Sequence, residues 1–542
     1  MNHTTFAFGN VTVHHICDTE APSLGSYVLE SNGRTAMVEC HSRDVADWLS
    51  GQGLPEPDII WHTHVQAEHC LDAQAFGDVS SAVPQSMVEL ASDRDGFERA
   101  ARTIWDNPEE WGDTAGREKY SIGGAVIERL PVKPLNVAGT LKVGEVIDWE
   151  GAQLQVIALP GHMADAVGLV LICDGKPCAV FIGDLMRYPE HLVNLYDLEH
   201  AYGATRLQAL PATLRQLADE VDVDLYLPST GPAIQHGRPA AYHLADRIDH
   251  YLYSLTWKIE AYEPTPHESR RSVARFNELA DGIYQFDAPG NTIVLIDEAG
   301  RGLMVDPGPC DYENPNRVAD FVADVQALED EAGLKTIDTL LITHMHGDHY
   351  DLVPQMQSRY SGCKLAAWGP LADLIEAPEK YPYACLLPWY NLGLDAMRVD
   401  DRLSRHEPYI WHDVQINTIH LPGHCLIHAA YILEFNGLRL AITGDTVQTN
   451  GEAITVDYIF CNHSAPTDEL GVPGAMKNLN AHSIDLNIGG HGSRFGNPNA
   501  MYEASLKRIS KALPALRDLV IDGDLAAACV RPGYRDVTQL LD

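Results

Sequence analysis

The sequence predicts a mixed α/β protein in which one fold is present twice. Three observations carry this: a set of signals that recurs in the same order, short β-branched runs alternating with segments of helical period, and His/Asp clusters at the ends of those runs. The stretch "LGSYVLESNGRTAMVECHS" (24–42) reads against "GNTIVLIDEAGRGLMVDPGP" (290–309). Each is a strand, a turn with Gly, and a second apolar strand ending in an acid, Glu39 or Asp306. "PDIIWHTHVQAEHCLD" then matches "IDTLLITHMHGDHYD", "VIALPGHMADAVGLVL" matches "TIHLPGHCLIHAAYIL", and "AVFIGDL" matches "LAITGDT". "LYLPSTGP" stands where "LNIGGHGS" stands, and the spacing agrees: Asp184 to Thr230 and Asp445 to His491 are both 46 residues.

Boundaries follow from punctuation. A segment of helical period over 240–262 ends at "EPTPHESRR", where two prolines stop a helix and make a connection. This predicts a first domain over 1–265, a second over 272–500, and a helical extension over 501–542, where "MYEASLKRISKALPALRDLV" keeps helical period. Amphipathic segments such as "PNRVADFVADVQALEDEAG" lie between the strands, so the special residues fall on strand-end loops.

Composition narrows the class. The chain has 542 residues, 45% hydrophobic and 21% charged, enough for several packed cores. No apolar run approaches the roughly 18–20 residues a membrane span needs, and the N-terminus has no basic start followed by a hydrophobic stretch, so a cytoplasmic protein without membrane contact is expected. Eleven cysteines are scattered with no C-x-x-C pair, against both a disulfide framework and a zinc ribbon. Lys+Arg 38 against Asp+Glu 76 gives a net charge of −38, a surface that repels polyanions, so nucleic acid is disfavoured as partner.

The second half holds the chemistry. In "THMHGDHYD", His344 and His346 can reach one metal from a strand end, while Asp348 and His349 turn toward a second ion about 3.5–4 Å away. Further donors must come from elsewhere. His424 in "LPGHC" and His491 in "GGHG" each follow an apolar strand beside Gly, and Asp445 in "ITGDT" offers a carboxylate able to bridge both ions. Asp306 reads as a hydrogen-bonding support for the metal loop rather than a ligand.

This string resembles the metallo-β-lactamase fold superfamily of hydrolases, through most of both halves. The resemblance implies a four-layer αββα sandwich in two tandem copies, with metals at one edge between the sheets. It also implies that His344, His346 and His424 hold a first metal, Asp348, His349 and His491 a second, with Asp445 as bridge. Two Zn2+ are expected, with Fe or Mn as alternatives. True zinc β-lactamases generally carry Cys or Ser where Asp445 stands, so the thioesterase, lactonase, phosphodiesterase and sulfatase branches are favoured. The mechanism implied is attack by a hydroxide bridging the metals, with Asp348 and Asp445 as the catalytic carboxylates, on a small carboxyl-derived substrate: an ester, thioester or lactone. A phosphodiesterase or RNA-processing nuclease of the same fold, an iron-dependent oxidoreductase and a non-catalytic scaffold are the alternatives, and a homodimer is left open.

The first half carries an altered version of the loop. His64, Glu68 and His69 stand for His344, Asp348 and His349, but Gln66 replaces His346 and Thr230 replaces His491. His162 and Asp184 keep their places. Gln and Thr are poor zinc ligands, so this copy is read as retired, shaping the other's substrate mouth, with His64, Glu68, His69, His162 and Asp184 as a weak further site. His62 reads as incidental. Cys425, Cys461 and His463 read as structural, the aromatic segment 381–393 as core packing or a pocket wall, and Tyr350 and His428 as residues in reach of substrate.

Overall fold

The computed structural model describes residues 2–17, 24–41, 44–65, 67–92, 134–163, 165–188, 190–193, 205–255, 265–286, 290, 292–308, 314–377, 396–447, 469–491 and 494–525. Two compact units result: Met1–Ser254 with a return of chain from Pro514, and Leu255–Leu513. The segments 381–393 and 461–463 lie outside the described residues.

Each unit is built on two sheets. In the first, a seven-stranded sheet takes its strands in chain order from Asn2–Phe8 to Val137–Leu141, and a five-stranded sheet holds the strands from Val146–Trp149 to Tyr226–Pro228. In the second, an eight-stranded sheet runs in chain order from Arg271–Val273 to Asp401–Leu403, facing a seven-stranded sheet that begins at Tyr409–Trp411. The pairing sense repeats as well. The larger sheet of each unit starts as an antiparallel meander and becomes parallel: Arg34–Val38 beside Ile59–Trp61 in one, Arg301–Val305 beside Thr336–Ile342 in the other. The smaller sheets both end their antiparallel run on a parallel pair, Lys176–Gly183 with Tyr226–Pro228 and Leu438–Ile442 with Leu486–Ile488.

Local chemistry explains these elements. The hairpins Val167–Cys173/Lys176–Gly183 and Ala429–Phe435/Leu438–Ile442 are closed by Asp174–Gly175 and Asn436–Gly437, all four at positive φ. Two such residues make the tight turn whose twist matches the strands. Thr336–Ile342 (TIDTLLI) is buried almost throughout, as a parallel strand covered on both faces must be. In the second unit, one buried cluster joins Val294 and Leu341 of one sheet to Tyr431 and Leu440 of the other. Helix Arg317–Glu331 adds Phe321, Val325 and Leu328 to that cluster, and helix Gly471–Asn480 caps the opposite sheet, Asn478 Nδ2 donating to His420 O at 2.9 Å. This is the αββα layering. In the first unit, Tyr27 and Leu29 meet Leu154, Leu171 and Phe181 in the same way.

Two boundaries differ from the sequence reading. Strand Thr265–Pro266 already pairs with Arg494–Gly496 in the second unit's sheet, so the second unit begins before residue 272. The last helix spans Pro498–Arg517, and the chain beyond it anchors on the first unit, Arg247 Nη1 donating to Asp518 O and Leu192 N to Leu519 O, both at 2.9 Å. Among the described residues no helix is long and apolar enough to cross a membrane.

Candidate metal centre

Parallel register places the loops of the second unit together. Val305 pairs with Leu341, so Asp306 and the Thr343–His344 loop leave adjacent strands at the same edge, and Asp306 N donates to Leu341 O at 2.9 Å. On the other sheet Ile442 pairs with Ile488, bringing Asp445 and His491 off at one end.

Two donor groups form there: His344, His346, His424 and Asp445, and Asp348, His349, Asp445 and His491. Asp445 belongs to both. In the first group, His346 Nδ1 lies 3.0 Å from His344 Nε2 and 2.9 Å from His424 Nε2, and Asp445 Oδ2 lies 3.6 Å from His424 Nε2 and 3.9 Å from His344 Nε2. In the second, His491 Nε2 lies 3.2 Å from Asp348 Oδ2 and 3.1 Å from Asp445 Oδ2, with His349 Nε2 3.2 Å from Asp445 Oδ1. Donors about 2.0–2.2 Å from one tetrahedral ion sit roughly 3.3–3.6 Å from each other, so these separations fit a divalent cation in each group.

Two further observations test the fit. His349 Nε2 and Asp445 Oδ1 are buried and lack a sound hydrogen bond despite their 3.2 Å separation, as for two ligands aimed at a shared point. Gly490 is the second: a Cβ there would stand 2.0 Å from Asp445 Oδ1 and 2.9 Å from His349 Cε1. Only glycine leaves the carboxylate its place.

Supporting contacts hold the ligands. Asp306, at φ 54°, accepts from Thr343 N at 2.8 Å through Oδ1, and from Thr343 Oγ1 at 2.7 Å and His349 Nδ1 at 3.0 Å through Oδ2. Thr343 Oγ1 also lies 3.0 Å from His344 Nδ1, which leaves Nε2 as the ligating atom. Arg317 fastens the end of the loop through Asp351, 2.6 Å away.

Electrostatics prepares most donors. Burial, reinforced by neighbouring histidines, holds His344 well below its usual range and His346 down to about 3, so both rings are neutral. Burial works against ionisation of Asp348, but His349 and His491 outweigh it and bring it down to about 2. For His349 burial is overcome by Asp445, Asp348 and Asp306, which raise it well above its usual range. A cation taking His349 Nε2 must therefore displace a proton.

The first unit repeats the scaffold with fewer donors. Glu39, at φ 60°, accepts from Thr63 N at 2.9 Å and from Thr63 Oγ1, and Thr63 Oγ1 lies 2.9 Å from His64 Nδ1. His64, His69 and Asp184 form a donor group. Asp184 Oδ2 is 2.9 Å from His69 Nε2 and 3.9 Å from both His64 Nε2 and His162 Nε2, while Thr230 Oγ1 donates to Asp184 Oδ1 at 2.9 Å. Gln66 and the side chain of Glu68 lie outside the described residues.

Thus the seven residues named from the second half meet in two groups, and of the five named from the first half three histidines, His64, His69 and His162, surround the Oδ2 of a fourth, Asp184. Other expectations need correcting. His62 is not incidental: it is buried with Nδ1 3.5 Å from Glu39 Oε2 and 3.6 Å from Cys70 Sγ. Tyr350 lies in the core, and His428 is fully buried, stacked on His344 with centroids 4.6 Å apart, so neither lines a substrate path. Cys425 is buried, its Sγ donating to Ile427 O. Thr343 carried no expected role, although a Thr before the first His in both halves was the available signal, while the Gly beside His491 was expected to allow close approach and does so for Asp445.

Residues 287–516 match the family model described as the metallo-beta-lactamase superfamily. Similar curated proteins include a hydroxyacylglutathione hydrolase of Stenotrophomonas maltophilia (strain R551-3), 38% identical over 74 residues, 14% of this chain and 24% of the relative. Another, of Xanthomonas oryzae pv. oryzae (strain MAFF 311018), is 27% identical over 157 residues, 29% of this chain and 46% of the relative. The chain thus spans less than half the length of these two relatives. Among solved structures, a metallo-beta-lactamase family protein from Thermus thermophilus gives a TM-score of 0.33 at 20% identity, covering 46% of this chain and 82% of that one.

Proposed function

We propose that the chain, whose residues 287–516 match the metallo-beta-lactamase superfamily model, is a binuclear metal-dependent hydrolase working from its second unit. The observation that carries this is the pair of four-donor groups sharing Asp445. Seven side chains for two ions leave coordination positions for water and substrate, unlike a closed structural site. When bound, two divalent cations, zinc in this reading, supply an acidified water and a Lewis-acidic contact for the scissile group.

The chain's own residues do the rest. His344, His346 and His424 would hold one ion, Asp348, His349 and His491 the other, with Asp445 between them. His424, His491 and Asp348 keep 20%, 31% and 20% of their side chains exposed, so substrate approaches from their side. Asp348, held ionised, would orient the attacking water by accepting a hydrogen bond from it. Asp306 and Thr343 fix the rings of His349 and His344 and so keep the donors aimed.

The substrate class is a small carboxyl-derived compound: an ester, thioester or lactone. The relatives' name specifies hydroxyacylglutathione, and an acyl group on a thiol falls within that class. A net charge of −38 disfavours nucleic acid. The test is hydrolysis of an ester, thioester and lactone panel by zinc-loaded protein and by His346→Asn and Asp348→Asn. Both variants should stay folded and lose turnover; wild-type rates from either would sink the proposal.

A further inference from the structure

We propose that the first unit holds one buried, structural zinc ion, ligated by His64, His69 and Asp184, with His162 beside them. This is independent of the hydrolase reading of the second unit. It draws on both of that unit's donor sets: His64 and His162 stand where His344 and His424 stand, and His69 where His349 stands.

Geometry comes first. Asp184 Oδ2 is the hub, 2.9 Å from His69 Nε2 and 3.9 Å from His64 Nε2 and His162 Nε2. The 3.9 Å separation equals that between His344 Nε2 and Asp445 Oδ2 in the second unit. Thr230 Oγ1, donating to Asp184 Oδ1, fixes the carboxylate so that Oδ2 alone faces the three rings.

A second observation points to a ligand. His64 is fully buried; its Nδ1 faces Thr63 Oγ1 at 2.9 Å, yet its Nε2 has no hydrogen-bond partner and points into the cluster. A buried polar nitrogen left unpaired costs about 1–3 kcal/mol, and at 3.9 Å Asp184 is too far to relieve it. A cation between them would bond both atoms.

Burial then decides the role. His64 and His69 are 0% exposed, His162 5% and Asp184 7%, whereas in the second unit His424, Asp348 and His491 keep 20%, 20% and 31% of their side chains exposed. His64, His69 and Asp184 supply three donors from a buried position, and His162 Nε2 stands 3.9 Å from Asp184 Oδ2. Such an ion stabilises the fold that holds it.

The test uses the full chain, stripped of metal and reloaded with Zn2+. Elemental analysis should give three zinc ions per chain. In the variant His344→Gln/Asp348→Asn/Asp445→Asn, which removes the shared carboxylate and a donor of each group in the second unit, one should remain, and Zn2+ should raise the melting temperature over the chelated sample. Adding His64→Gln should remove that ion and the zinc-dependent shift. Replacing Zn2+ by Co2+ in the emptied variant gives a readout with the first unit unaltered: intense visible bands report a four-coordinate ion. No zinc on the emptied variant, or a zinc that persists after His64→Gln, overturns the proposal.

Discussion

The two strand-end loops, Thr63–His69 and Thr343–His349, sit on the same frame and carry different donors. In both, an acid at positive φ on the neighbouring strand, Glu39 or Asp306, accepts from the threonine that opens the loop. In both, a glycine at positive φ, Gly183 or Gly444, makes room for that threonine: a Cβ there would stand 2.7 or 2.6 Å from its Oγ1. What differs is the ligand ring. Where the second unit has Gly490 and His491, the first has Ser229 and Thr230, whose hydroxyls bond Glu39 at 3.3 Å and Asp184 at 2.9 Å. The frame is a matter of hydrogen bonding at the strand ends and is present in both units; the paired donor groups of the second unit are a matter of a few side chains placed on it.

The largest expected effect separates the bridging carboxylates. Asp445→Asn should cut hydrolysis by more than about 100-fold and lower zinc content, because both ions lose a ligand. Asp184→Asn should cost far less turnover. Equal losses on a thioester or lactone assay would break the distinction between the units.

Next in size is Gly490→Ala. The added Cβ must displace Asp445 or the backbone, and a shift near 1 Å costs roughly 100-fold in rate. Metal content should fall with kcat. The reverse change sharpens the comparison: Gln66→His, Ser229→Gly and Thr230→His together should raise zinc by one ion per chain on elemental analysis, since the frame is already present.

A smaller effect concerns the loop's anchor. Arg317→Met leaves the buried Asp351 carboxylate without its cation, at a cost of about 3 kcal/mol to the second unit in denaturant unfolding.

The last prediction is a pH profile of the first unit, set by His62 and Glu39. Burial opposes the charge on His62, but Cys70 and Glu39 outweigh it and hold it up to about 10. Its contribution is complete below the ordinary value of 6.5 and is lost as pH rises through about 10. Burial likewise opposes the charge on Glu39, and His62, His69 and His64 bring it down to about 2, so its contribution is complete above 4.5 and lost as pH falls through about 2. The contributions of these two groups are together complete between pH 4.5 and 6.5, and in thermal melts His62→Leu should flatten the decline of the first unit as pH rises toward about 10.

Much of the site was legible because metal ligands must be specific residue types on strand ends. Strings such as "THMHGDH", "LPGH" and "TGDT" therefore name their own chemistry. His62 was misread for the opposite reason. One position outside the ligand register, it gave no periodic or motif signal, and only the approach of Glu39 from the neighbouring strand makes it one half of a buried ion pair. Tyr350 and His428 were likewise placed near substrate by proximity in sequence, but the core closes over one and a ligand ring covers the other.

By itself the sequence determined the α/β class, the recurring order of strands and loops, and the residue types available to hold metal, because these follow from local patterning and side-chain chemistry. Tertiary structure alone decided which nitrogen of each histidine faces the site, that Gly490 must lack a side chain, and that Asp184 gathers three histidines on one oxygen. Those outcomes depend on parallel register between strands far apart in the chain, and no local pattern encodes a distance.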